Sequence, residues 1–147
     1  MARSPRSDAA QHGTAGFFTP RTRRAFRAIA ESVVPEAALL PASEWAVVES
    51  IVEKALAARP ESVRRQVKAF LRLLDVLAMA RRGRRLHNLP PDARTRFLGG
   101  IQDSPFALLR RGFWGVRTLV FMGYYARPAA AAEIGYRAHA LGWEARR

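Results

Sequence analysis

The segment PESVRRQVKAFLRLLDVLAMARRG, residues 60–83, carries the clearest structural signal in the sequence. Its large apolar residues recur at intervals of three and four positions, which is the spacing of one face of an α-helix. This face consists of Val67, Phe70, Leu71, Leu74, Leu77 and Ala78. Pro60-Glu61 suits the first turn of a helix, and Gly83 suits the position just beyond the last turn. The segment therefore predicts one long amphipathic helix.

Similar start signals occur on both sides of this segment. Thr19-Pro20 and Ser104-Pro105 each place a hydroxyl residue, which caps helices well, before a proline at the first helical position. Thr19 is expected to begin the first helix. Ser104 is expected to begin the longest helix, which should run to about Arg127, before Pro128.

Two further helices lie between these. Ser43 is predicted to cap the second helix, and the segment Asn88-Leu-Pro-Pro-Asp to begin a short fourth helix that Gly99-Gly100 ends. No stretch of useful length alternates between apolar and polar residues, as a half-buried strand would. The sequence predicts an all-α protein, a compact bundle of about five helices. We expect a disordered basic arm at 1–16, a single helical domain at 17–143 and a basic tail at 144–147.

The composition excludes several kinds of chemistry. The chain has no cysteine, so it cannot form disulfides, thiolate metal sites or a cysteine nucleophile. Its three histidines, His12, His87 and His139, show no metal-ligand spacing, and no glycine-rich nucleotide loop is present. We predict no catalytic residue, no metal and no cofactor in this chain.

The acidic residues are few and suit structural roles better than catalysis. Glu49 and Glu53 lie one helical turn apart, and they are interpreted as part of a solvated helix face. Asp75 lies among leucines and is expected to form a buried ion pair with an arginine such as Arg72.

The net charge is +13, and almost all of the positive charge is arginine. Such a charge attracts nucleic acid, an anionic membrane surface or an acidic protein, although an arginine- and alanine-rich composition also follows from a GC-rich gene. Arg81-Arg82-Gly83-Arg84-Arg85 is the best nucleic-acid candidate, but no aromatic residues are interleaved with it and no recognition motif accompanies it. An acidic protein partner is the alternative interpretation.

Glycines inside the predicted last long helix suggest close packing. Gly112, Gly115 and Gly123 each cost helix stability relative to alanine, so another chain segment is expected to approach closely. The sequence does not distinguish packing within this chain from packing against a partner.

Two segments bear on where in the cell the protein is located. Residues 22–27, TRRAFR, resemble a twin-arginine export motif, but the following segment is charged, and an amphipathic helix with a basic face explains it better. The apolar stretch from Gly112 to Ala126 is too short to span a bilayer. We expect a soluble cytoplasmic protein, with a membrane surface as a less favoured partner.

The order of four motifs resembles a known arrangement. LPPDAR (89–94), SPFALLRR (104–111), FMGYYARP (121–128) and EIGY (133–136) follow one another as in the helical region before the flavin domain of long-chain alcohol oxidases. These enzymes belong to the glucose-methanol-choline (GMC) oxidoreductase superfamily. The segment FFTPRTRRAFRAIAESVVPE (17–36) also resembles the opening of that region, and of the small subunits of gluconate-type flavin dehydrogenases.

The resemblance covers roughly Phe17 to Trp143 and implies a role without catalysis. The fused enzymes continue into a glycine-rich FAD-binding fold and a catalytic histidine, whereas this sequence ends at Arg147 with neither. The resemblance thus implies an accessory subunit of a separate FAD-dependent GMC-type oxidoreductase, with FAD bound by that large subunit. The docking surface implied is Phe121, Tyr124, Tyr125, Ile134, Gly135, Tyr136 and Trp143. A basic helical nucleic-acid-binding protein is the alternative.

Overall fold

The computed structural model describes residues 16–133. Within this range the α-helices are α1 (Pro20–Val33), α2 (Ala42–Ala57), α3 (Glu61–Arg82), α4 (Pro91–Gln102), α5 (Ala107–Tyr125) and α6 (Pro128–Glu133). Two 3₁₀ helices, Pro35–Leu39 and Leu86–Asn88, precede α2 and α4. The described part of the chain contains no strand, which confirms the predicted all-α class. The predicted arm and basic tail lie outside the described residues, except for Gly16.

The start of α1 follows the prediction from Thr19-Pro20. The Thr19 side chain accepts a hydrogen bond from the backbone nitrogen of Thr22 at 3.3 Å, and the Thr22 side chain accepts one from the backbone nitrogen of Thr19 at 2.8 Å. This reciprocal arrangement satisfies two backbone donors that a helix start would otherwise leave unpaired.

The predicted bounds of α3 are also confirmed. Pro60 occupies the N-cap position, and Gly83 ends the helix in the left-handed conformation, with φ of 68°. Glycine adopts this conformation without the steric cost that a side chain would bring. With 22 residues, α3 is longer than α5, which has 19, so the expectation that the last long helix is the longest was wrong.

Three predicted helix boundaries were also wrong. Pro41, not Ser43, caps α2, and the carbonyl of Pro41 accepts the first helical hydrogen bond from Trp45. The α4 helix continues through Gly99-Gly100 to Gln102, because burial of Ile101 outweighs the low helix propensity of glycine. Ser104 instead accepts a hydrogen bond from the backbone nitrogen of Phe106, and α5 begins only after that turn.

The hydrophobic core is centred on α1. This helix packs against α3, α4 and α5, while α2 packs mainly against α5. Phe26 and Ile29 of α1 are completely buried, as are Val52, Leu74 and Ile101 from α2, α3 and α4. All three alanines of α1, Ala25, Ala28 and Ala30, are buried too, and their small side chains let the surrounding helices approach.

Ion pairs connect the same helices, and they correct two predictions. Glu49 is only 8% exposed and pairs with Arg23 and Arg27 of α1 at 2.8 and 2.7 Å, so it does not belong to a solvated face. Asp75 is buried and ion-paired as expected, but its partner is Arg21 at 3.4 Å rather than Arg72. Both acids point toward α1, which is distant in sequence, so neighbouring residues did not indicate these ion pairs.

The Asp75 carboxylate has a second structural role. It accepts a hydrogen bond from the backbone nitrogen of Leu86 at 3.1 Å, so it also satisfies a donor at the start of the second 3₁₀ helix. One buried carboxylate thereby holds α3, α1 and the connection to α4 together. A buried charge needs such partners, since leaving it unpaired would cost several kcal/mol.

The glycines of α5 do not share one explanation. A Cβ atom at Gly112 would collide with the ring of Phe70 in α3, and one at Gly123 would lie 2.9 Å from methyl groups of Val48 and Val52 in α2. These two positions therefore serve packing within the chain. A Cβ atom at Gly115 would meet nothing within 4 Å, so Gly115 faces open space.

Candidate interaction surface

Three of the seven predicted docking residues lie in the described part of the chain, each in a different environment. Tyr124 is buried, Phe121 is half-buried against the core, and the ring of Tyr125 is exposed. Tyr125 contacts both neighbours, with ring centroids 5.1 Å from Tyr124 and 6.0 Å from Phe121. The end of α5 thus presents an aromatic cluster of which Tyr125 is the outward member. Ile134, Gly135, Tyr136 and Trp143 lie outside the described residues.

Arg127 anchors the junction between α5 and α6. It is 1% exposed, and its guanidinium group lies 4.3 Å from the centroid of the Tyr124 ring. Its Nε donates to the backbone oxygen of Tyr124 at 2.9 Å, and Nη1 donates to Glu44 of α2. The sequence analysis assigned no role to Arg127. Its position in the sequence, between two tyrosines and a proline, could have indicated a structural role. The sequence did not indicate Glu44 as its partner, because the two residues are 83 positions apart.

Large apolar side chains are exposed along α5 and just before it. Phe106 is 66% exposed, Leu108 is 73% exposed and Trp114 is 52% exposed. Arg117 lies over the Trp114 ring at 4.9 Å from its centroid and covers part of it. Single exposed apolar residues are ordinary, but several on one helix favour a contact surface.

An apolar groove runs between α3 and α5, with a volume of about 520 Å³. The α3 wall contains Val67, Phe70 and Leu73, and Leu108 and Val116 belong to the α5 wall. Other residues that line it are Gln66, Ala69, Arg111, Gly112 and Gly115. The groove was not predicted, because it depends on how far apart the two helices pack.

Comparison with known proteins places the chain in a family. The model of a family described as gluconate 2-dehydrogenase subunit 3 matches residues 20–145. The chain belongs to this family. No curated protein and no solved structure was found to match it. The match confirms the small-subunit type that the sequence motifs resembled.

Ion pairs occupy three carboxylates in the described part of this gluconate 2-dehydrogenase subunit 3 family member. Between residues 16 and 133, no three metal-ligating side chains come together. The carboxylates of Glu44, Glu49 and Asp75 are each held by arginine. No helix in the described range has both the length and the apolar character that a membrane crossing requires.

The arginine cluster of this family member lies at the end of α3. Arg81, Arg82, Arg84 and Arg85 are all exposed, and none forms an ion pair with another described residue. Cations are favoured at this end of a helix because the macrodipole is negative there. The cluster is therefore available to an anionic partner without disturbing the core.

Proposed function

We propose that this protein is a non-catalytic accessory subunit that binds and stabilises a separate FAD-dependent oxidoreductase of the GMC type. Membership in the gluconate 2-dehydrogenase subunit 3 family and the order of the four sequence motifs support this function. The structural observation that carries it is the exposure of Phe106, just before α5, and of Leu108 and Trp114 on α5. These side chains have the size and apolar character of interface anchors.

The proposed binding role follows from the apolar side chains that the chain exposes on α5. The proposed lack of catalysis follows from the arginines that hold the carboxylates of Glu44, Glu49 and Asp75 in ion pairs. Burial of apolar surface is the main driving force of stable subunit association. The α5 side chains would cover apolar surface of the large subunit, together with the predicted docking residues at the end of the chain. In this proposal, FAD and the catalytic groups belong to the large subunit. We also propose that the complex is located in the cytoplasm.

Co-expression tests this function directly. The partner to use is a GMC-type flavoprotein that is encoded by a neighbouring gene and lacks its own N-terminal helical region. We expect the two chains to co-purify, FAD to follow the large subunit, and the large subunit expressed alone to be less soluble. This chain purified alone should carry no flavin absorbance. Co-purification that fails, or a stoichiometric yellow chromophore in the isolated chain, would contradict the proposal.

The exposed cluster Arg81–Arg85 keeps nucleic acid as a second candidate partner. Binding through phosphates would release counterions, so the affinity for double-stranded DNA should fall steeply as salt increases. Fluorescence anisotropy with labelled DNA, in low salt and at physiological salt, distinguishes the two functions. Under the accessory-subunit proposal, we expect the binding at low salt to vanish at physiological salt. Tight DNA binding at physiological salt would favour the second function.

A further inference from the structure

We propose that the groove between α3 and α5 receives an apolar segment of the dehydrogenase large subunit whose flanking residues are acidic. This inference rests on the proposed function and assigns the docking site and the chemistry of the segment that occupies it. Three features carry it: the shape of the groove, the charge around it, and the charge of the other segments that could enter it.

The size and the apolar lining of the groove suit a bulky apolar group. Its volume of about 520 Å³ lies within the range of about 300–1,000 Å³ that is usual for ligand pockets. Phe70 in the α3 wall is buried, while Leu108 in the α5 wall is mostly exposed. Gly115 leaves one wall without a side chain, so a partner backbone can approach α5 closely there.

An arginine lies in the α5 wall of the groove, and two more lie on α3 near the other wall. Arg111 lines the groove, and Arg65 and Arg72 are the sequence neighbours of its residues Gln66 and Leu73. These three arginines are exposed, and none forms an ion pair with another described residue. Neither 62–74 of α3 nor the whole of α5 contains an acidic residue. Carboxylates that complement this charge must therefore come from outside the groove.

Charge also selects among the candidate occupants. The sequence at 134–147 contains one glutamate and three arginines, and the sequence at 1–15 contains one aspartate and two arginines. A second copy of the chain carries a net charge of +13. All three would bring additional positive charge to a basic rim, which like-charge repulsion disfavours. An apolar segment flanked by aspartate or glutamate complements both the groove and its rim.

Filling the groove tests the location of the docking site. Gly115→Phe places a ring at a position where a Cβ atom meets nothing, so it should occupy the groove without displacing α3. Gly100→Phe in α4 is the matched control, since a Cβ atom there also meets nothing within 4 Å. We expect Gly115→Phe to weaken binding to the co-expressed large subunit at least about tenfold, and Gly100→Phe to leave it unchanged. Circular dichroism of both variants verifies that they fold.

The charge of the rim is tested by reversal. Arg111→Glu should weaken the complex at least about tenfold and reduce its sensitivity to salt, because a partner carboxylate would then face a like charge. Arg111→Lys keeps the positive charge and should retain most of the affinity. If Arg111→Glu binds as well as the unmodified chain, the acidic character of the occupant is wrong.

Crosslinking identifies the occupant. The photoreactive residue p-benzoylphenylalanine in place of Leu108 should crosslink to the large subunit, at an apolar peptide with aspartate or glutamate beside it. In the purified complex with the large subunit, a crosslink to residues 134–147 of this chain, to a second copy, or to a partner peptide without acidic residues would overturn the inference.

The outcomes separate this inference from the function on which it rests. If the unmodified chain forms no complex with the flavoprotein, both proposals are wrong. If the complex forms and Gly115→Phe binds normally, the docking site is elsewhere and the accessory function stands.

Discussion

Arg127 and Glu44 form an ion pair across 83 positions of the sequence, with Nη1 2.5 Å from Oε2. The pair joins the first turn of α2 to the connection between α5 and α6. Because the guanidinium group also lies over the Tyr124 ring, the aromatic end of α5 is held against α2. The junction between α5 and α6 is thereby held in place by a buried charge.

Removing the carboxylate of this pair should destabilise the protein. Glu44→Gln leaves the buried Arg127 guanidinium without its counterion. The expected loss in free energy of unfolding is about 2–3 kcal/mol, below the usual cost for a fully buried pair because Glu44 is partly exposed. Chemical denaturation measures it. The control is Glu61→Gln, which removes the more exposed Glu61–Arg64 pair and should cost under about 1 kcal/mol. Equal losses in the two variants would mean that the Arg127–Glu44 pair contributes no more to stability than the exposed Glu61–Arg64 pair.

The two glycines Gly123 and Gly115 should respond oppositely to alanine. Gly123→Ala places a methyl group 2.9 Å from Val48 and Val52 side-chain atoms and 3.3 Å from the Val48 carbonyl oxygen. Separating α2 from α5 to accommodate it should cost about 1–3 kcal/mol. Gly115→Ala meets no atom and should stabilise the protein by up to about 1 kcal/mol through helix propensity. Thermal melting of both variants measures the effect, and a stable Gly123→Ala would show that the α2–α5 contact can adjust.

The isolated protein should self-associate through α5. Phe106, Leu108 and Trp114 expose apolar surface that no described part of the chain covers. We expect light scattering to give a mass that rises with concentration, and a hydrophobic dye to bind. The double variant Phe106→Ser/Trp114→Gln should reduce both signals. Leu39→Ser removes an exposed leucine from the first 3₁₀ helix and should change neither signal. A monodisperse monomer that binds no dye would contradict this prediction.

The aromatic residues near the end of the chain should matter for assembly rather than for folding. Replacing Tyr136 and Trp143 by alanine is expected to leave the circular dichroism and melting of the isolated subunit nearly unchanged. Pull-down of the flavoprotein should weaken, because an interface anchor contributes about 2 kcal/mol or more.

The comparison variant for this experiment is Tyr124→Ala. Because that ring is buried, its removal should destabilise the fold itself by about 3–5 kcal/mol. An unfolded Tyr136/Trp143 double variant, or one that captures its partner normally, would show that these two residues do not dock.

The sequence by itself determined the helical class and those boundaries that depend on local chemistry. Thr19 caps α1 with its own side chain, and Gly83 ends α3 because it adopts a left-handed conformation. Both effects act within one helical turn, so neighbouring residues suffice to predict them. Where burial competed with local preference, as at Gly99-Gly100, the local rule failed.

Only the tertiary structure decided which residues meet. Asp75 was predicted to be buried and paired, but the choice of Arg21 over Arg72 depends on α1 crossing α3. Likewise, the spacing of α5 glycines indicates close packing without saying that Gly123 meets α2 while Gly115 borders an open groove. Helix periodicity records which face turns inward, but the distance and partner of that face come from the packing of all side chains together.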